Sequence, residues 1–195
     1  MDYGDKKILE FKKKAKEAKE LEDMDITKKP VRIKDRYYQF KETSFLEDRV
    51  RMYIPEDFED MKKEIMDMKY PSIHRPKVIK TDETNSVNIT LNPIDSDLTE
   101  ELVGRLKDSM KVMIKKTNPA SVFYADGIEK VEDKNIGYFE FKSPAIDDFI
   151  YNIMFVFELD KKTVIGTFCC MYDDYIHWRN IGFEMIKTIR VVKKD

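Results

Sequence analysis

Four apolar-rich runs follow one another between residues 122 and 172, separated by short polar breaks. They predict strands at 122–131, 136–142, 149–159 and 163–172. The breaks at 132–135, 143–148 and 160–162 are too short for parallel crossovers, so the strands form an antiparallel meander. Within the second run Phe139 and Phe141 alternate with Tyr138, Glu140 and Lys142, which gives that strand one core face and one more polar face. The third run differs: Phe149, Tyr151, Ile153, Phe155 and Phe157 take one side while Ile150, Met154 and Val156 take the other. Such a strand needs cover on both sides, and helices supply part of it.

Helical spacing appears on either side of the meander. Leu98, Leu102, Leu106, Met110 and Met113 mark one face of a helix, Asp97 and Glu100 resemble a capping box, and Asn118 with Pro119 stop it. A last helix starts near Asp173 and Asp174 and presents Trp178, Ile181 or Gly182, Met185 and Ile189. Upstream, runs at 36–40 and 49–54 flank a polar bend and predict a hairpin. Pro55 then opens a short acidic-fronted helix whose buried stripe is Phe58, Met61, Ile65 and Met68. An irregular connection at 70–76 leads to strands at 78–81 and 87–91. Residues 6–25 predict a separate helix with Ile8, Phe11, Ala15 and Ala18 on one side, and Lys28, Lys29 and Pro30 end it. Two regions follow: a charged helical extension at 1–30 and a single domain at 31–195. The fold class is α+β, a mainly antiparallel sheet flanked by helices in an α/β/α sandwich.

The order of elements and several phrases resemble the PsbP-like fold, which is shared with the Ran-binding Mog protein and with bacterial domains of unassigned function. The phrases are Tyr37 to Phe40 with Val50 to Pro55, then Tyr70 to Pro76, Ile165 to Cys170, and Trp178 to Ile189. They span roughly Tyr37 to Val191 and are packing signatures. The resemblance implies a non-enzymatic docking domain, attached to different partners in different relatives. The charged leading helix departs from the family pattern.

Composition narrows the chemistry. The 195 residues carry 36 Lys+Arg against 38 Asp+Glu, a net charge of −2, which disfavours a polyanion binder and therefore nucleic acid. The lysines of 6–19 form the one basic block, followed at once by the acids of 20–25. With two alanines on its apolar side and no Trp, that helix gives no stable membrane insertion; a solvated, partly ordered extension is one reading of it, and docking onto its own domain, or a weak homo-oligomer through it, is the other. The two cysteines, Cys169 and Cys170, are adjacent, which excludes a disulfide framework and suits a reduced cytoplasmic protein, unless an export leader has been removed.

Two histidines, His74 and His177, lack zinc-ligand spacing, and six dispersed glycines form no phosphate loop, so neither a metal nor a cofactor is expected. Cys170 and His177 are close in sequence, but a core-strand thiol lies poorly for attack. The acid pairs Asp147–Asp148 and Asp173–Asp174 sit at element boundaries, where turn and cap use fits better than acid–base catalysis. Asn152, inside an apolar strand, reads either as the floor of a ligand pocket or as a buried amide satisfied by a neighbouring loop. Tyr70, His74, Arg75, Tyr175 and His177, with Trp178 as a core alternative, form a candidate recognition surface. The expected function is a non-enzymatic cytoplasmic docking module for a protein partner. The alternative is a small-ligand binder or minor hydrolase with a pocket between the sheet and the 70–76 loop.

Overall fold

A computed structural model describes residues 24–146 and 148–193. The predicted helix at 6–25, together with the self-association and membrane roles attached to it, lies outside the described residues up to position 23, and residues 24 and 25 are not helical. Ile26 is buried in the same core as Ile33 and Phe45.

The first strands among the described residues form a small hairpin, β1 (Val31–Ile33) and β2 (Arg36–Tyr38). It continues into β3 (Phe40–Phe45) and β4 (Val50–Pro55), which pair antiparallel around a turn where Leu46, Glu47 and Asp48 all take left-handed backbone. The predicted hairpin therefore forms, but its first strand lies further along the chain. The expected helix after Pro55 does not begin there. Residues Glu59–Asp60 form β5 and pair with β6 (Val78–Thr81), while the amide of Met61 donates to the carbonyl of Ile79. Helix α1 is confined to Lys63–Lys69. Phe58 and Met61 are buried as expected, but from this extended segment, and Met68 is exposed.

Strand β7 (Asn88–Asp97) precedes a 3-10 turn at Glu100–Leu102 and helix α2 (Val103–Thr117). The capping box is absent: Asp97 is still in the strand opposite Lys162, and the Glu100 carboxylate accepts from the amide of Asn135 at 2.7 Å. Because α2 starts later than predicted, its buried face is Val103, Lys107 and Met110, with Leu106 and Ile114 beside it, while Leu102 and Met113 face outward. The meander follows the prediction: β8 (Val122–Val131), β9 (Lys134–Pro144), β10 (Phe149–Leu159) and β11 (Lys162–Met171). A tight turn with left-handed Asp160 and Lys161 joins β10 to β11, the twist a two-residue hairpin favours. A 3-10 turn at Tyr172–Asp174 leads to α3 (Tyr175–Lys187), and β12 (Arg190–Val191) returns to pair with β4.

Among the described residues all pairings are antiparallel. The large sheet has seven strands in the order β5-β6-β7-β11-β10-β9-β8, and β12-β4-β3 form a second, small sheet. One face of the large sheet carries α3 and the small sheet: Trp178, Ile181, Met185, Val50, Met52 and Ile54 share a core with Ile153, Phe155, Phe157 and Phe168. Trp178 packs edge-on against Tyr38, with ring centroids 5.2 Å apart, and lies beside Phe168 and Phe58. The other face is covered by α2 over Phe139, Phe141 and Val156. Strand β10 is thus enclosed on both sides, as its pattern requires. The architecture is an antiparallel α+β fold.

Candidate protein-docking surface

The face of the large sheet beneath α3 contains one charged side chain with almost no contact with water. Glu140 is 1% exposed. Its carboxylate receives a two-pronged hydrogen bond from Arg179 of α3, at 2.6 and 2.7 Å, another from the amide of Ala125 at 3.1 Å, and a short one from the Tyr151 hydroxyl. Burial alone would raise its pKa, but these donors outweigh burial and hold the carboxyl below its usual range. Burial and the neighbouring carboxylate push the Tyr151 phenol upward. The pattern of β9 placed Glu140 on a more polar face, and the arginine that makes its burial tolerable comes from a helix 39 residues later.

A bulge in the edge strand completes this arrangement. Phe123 pairs with Phe141 and Asp126 with Phe139, so Tyr124 and Ala125 together oppose Glu140. The bulge turns the Ala125 amide inward to the carboxylate. Tyr124 is left to reach Tyr172, with the two hydroxyl oxygens 3.0 Å apart. Tyr172 stacks on Tyr175, nearly parallel with centroids 4.8 Å apart, and Tyr175 lies 5.4 Å from Tyr151. A connected row of rings therefore runs from the surface to the buried acid.

Lys142 sits on the outward end of this row. Its ammonium nitrogen is 4.4 Å from the centre of the Phe149 ring and 4.3 Å from that of Tyr172, so it is clasped between two aromatic rings. Phe149 is 41% and Tyr124 40% exposed, and Val122, directly opposite Lys142 in the sheet, is exposed too. The surface thus consists of Val122, Tyr124, Lys142, Phe149 and Tyr172, set at one end of the large sheet. Its residues come from β8, β9, β10 and the turn before α3, with no local motif to announce them.

Of the residues singled out in the sequence, Tyr175 is the one that joins this row. His177 is exposed in the first turn of α3, and Cys170 is buried in the core. Tyr70 closes α1 with its hydroxyl on the Cys169 thiol, and burial, followed by that thiol, pushes its phenol upward. His74 is exposed, its amide bonded to the Ser72 hydroxyl at 3.1 Å. Arg75 pairs with Asp67. Asn152 donates to the Ser143 hydroxyl at 3.0 Å and the Ile150 carbonyl at 3.1 Å, as a satisfied strand amide does.

Several concavities mark the surface of the described residues. A cleft of about 360 Å³ is lined by Arg36, Asp57, Asp60, Lys62 and Glu83, among others, and a groove of about 510 Å³ runs past Tyr138, Arg179 and Phe183. Neither is lined by Tyr70, His74, Arg75 or Asn152. Among the described residues, no three His, Cys, Asp or Glu side chains are grouped to hold a metal ion, and no helix is long and apolar enough to cross a membrane.

No protein-family model matches the chain, and no curated protein matches it. Solved structures do. Cyanobacterial PsbP (CyanoP) from Synechocystis sp. PCC 6803 is similar with a TM-score of 0.57 at 9% identity, over 78% of this chain and 92% of that one. A protein from Bacteroides thetaiotaomicron has a TM-score of 0.53 at 8% identity, over 79% of this chain and 49% of its own length. LpqN of Mycobacterium tuberculosis, described as involved in cell envelope biogenesis, has a TM-score of 0.50 at 9% identity, over 83% and 95% of the two chains. At such identities the likeness is one of fold, and the fold of this chain is PsbP-like.

Proposed function

We propose that this chain is a protein-docking module without catalytic activity, and that it meets its partner through Val122, Tyr124, Lys142, Phe149 and Tyr172. One observation carries the reading: three aromatic rings, Phe149, Tyr124 and Tyr172, gather at the end of the sheet, with Phe149 and Tyr124 open to solvent and a cation held between Phe149 and Tyr172. Exposed aromatic side chains with a polar handle are the residues that dominate binding energy at interfaces, and rigid support lowers the entropy lost on docking. The adjacent free thiols of Cys169 and Cys170 support a reducing, cytoplasmic setting.

A photo-activatable cross-linking amino acid placed at Phe149, and as a control at the exposed Val112 of α2, tests the reading in the native cell. A discrete adduct formed through position 149, missing through position 112 and abolished by Tyr124→Ala, is the expected result. Adducts of equal pattern from both positions, or from neither, would count against it.

A further inference from the structure

We propose that this surface reads a carboxylate: the partner presents an aspartate or glutamate side chain, flanked by an apolar residue, which seats on Lys142. The inference rests on the docking reading and adds the chemistry of the partner.

Lys142 is an exception among the half-buried and buried lysines of the described residues. Lys107 and Lys111 share Asp126, Lys134 holds Glu158 and Glu100, and Lys80 holds Asp60. Lys142 has ring faces on two sides and, among the described residues, no carboxylate at ion-pair distance. Three described acids around this end of the sheet have other partners. Glu140 is saturated by Arg179, Tyr151 and Ala125, Asp174 is paired with Lys34, and Asp148 accepts from the amide of Phe149 at 2.7 Å. The rings fix the ammonium and strip part of its water, so an incoming carboxylate meets a pre-oriented cation rather than a freely moving one.

The tyrosine pair adds a second donor. Two hydroxyls 3.0 Å apart share one proton between them, which leaves the other O–H free to donate outward. Burial and the Tyr172 hydroxyl push the Tyr124 phenol upward, so it stays protonated at neutral pH. An ammonium and a phenol donor together match the two oxygens of a carboxylate. The exposed faces of Phe149, Tyr124 and Val122 supply apolar contact for the flanking residue. That contact separates a peptide from a small free acid, which would gain the charge pairing alone.

The test is selection of random twelve-residue peptides on the full chain, followed by fluorescence anisotropy with the enriched peptides. Enriched sequences should place Asp or Glu within two positions of an aromatic or aliphatic residue. Replacing that acid by its amide, or Lys142 by Met, should weaken binding about tenfold or more, as expected for one charge-assisted hydrogen bond, while Lys142→Arg should stay within about threefold. Unchanged thermal unfolding of Lys142→Met establishes that a loss is not a folding defect; should that variant unfold, Lys142→Gln replaces it. Failure to enrich peptides, enrichment without an acid, binding indifferent to Lys142, or tighter binding when phosphoserine replaces the acid would each overturn the proposal. If any of these occurred while the adduct through position 149 persisted in cells, the carboxylate inference alone would fall and the docking reading would stand.

Discussion

Phe155 of β10 lies with its ring across the bare Cα of Gly166, the residue directly opposite it on β11. A side chain on Gly166 would coincide with that ring. Phe155 is fully buried, and the close approach fills the space where a β-carbon would otherwise stand. Gly166→Ala should destabilise the domain by about 3 kcal/mol, at the upper end of overpacking costs. Urea unfolding measures it. Pairing Gly166→Ala with Phe155→Leu should cost less than the sum of the two single changes, because each alters the space the other uses. Strict additivity would show that the ring does not depend on the glycine.

The Glu140 network carries a pH signature. A carboxyl held below its ordinary value in the folded state contributes stability that is complete above its unfolded pKa, near 4.5, and is lost as pH falls from there through the lowered folded value. Unfolding midpoints should therefore drop below about pH 4.5. Glu140→Gln should flatten that acid limb and cost about 2–3 kcal/mol at pH 7, since Arg179 and Tyr151 lose a charged acceptor while Arg179 keeps access to water. An acid limb identical to that of the parent chain would mean that other carboxylates set it.

The two thiols should be silent in the native protein. Burial pushes both Cys169 and Cys170 upward in pKa; the amide of Asn88 and the hydroxyl of Tyr70 also bond Cys169, but do not offset its burial. Reaction with a disulfide reagent at pH 8 should therefore follow unfolding, with two thiols counted in denaturant and neither at the start of the native time course. Rapid labelling of one thiol in the native state would place Cys169 nearer to solvent than its neighbours allow.

Much of the fold was legible because its signals are local and periodic. β10 runs over the predicted residues, and Trp178, Ile181 and Met185 of α3 are buried as their spacing requires. Structure and local pattern differ where distant partners override local signals. The Pro55 stretch has the acids and spacing of a helix start, yet the amide of Glu56 donates to Gln39, between β2 and β3, and that of Met61 to Ile79 of β6, so the backbone is claimed by distant segments. Asp97 and Glu100 look like a cap, yet they serve Lys162 and Asn135. The candidate surface was less legible. Tyr124, Lys142 and Tyr172 are brought together by a bulge, a strand pairing and a turn, none of which leaves a signature at short spacing. Glu140 offered one usable hint: an acid on the sheet face that also bears Tyr138, facing a helix that carries Arg179.

The most direct measurement is calorimetric titration of the partner isolated through the position-149 adduct against the parent chain and the Phe149→Ala and Lys142→Met variants. Affinity should fall about tenfold or more in each variant, with thermal unfolding within a few degrees of the parent, as for truncation of a binding hot spot on an intact scaffold. Unchanged affinity in both variants would contradict the assignment of function to this surface.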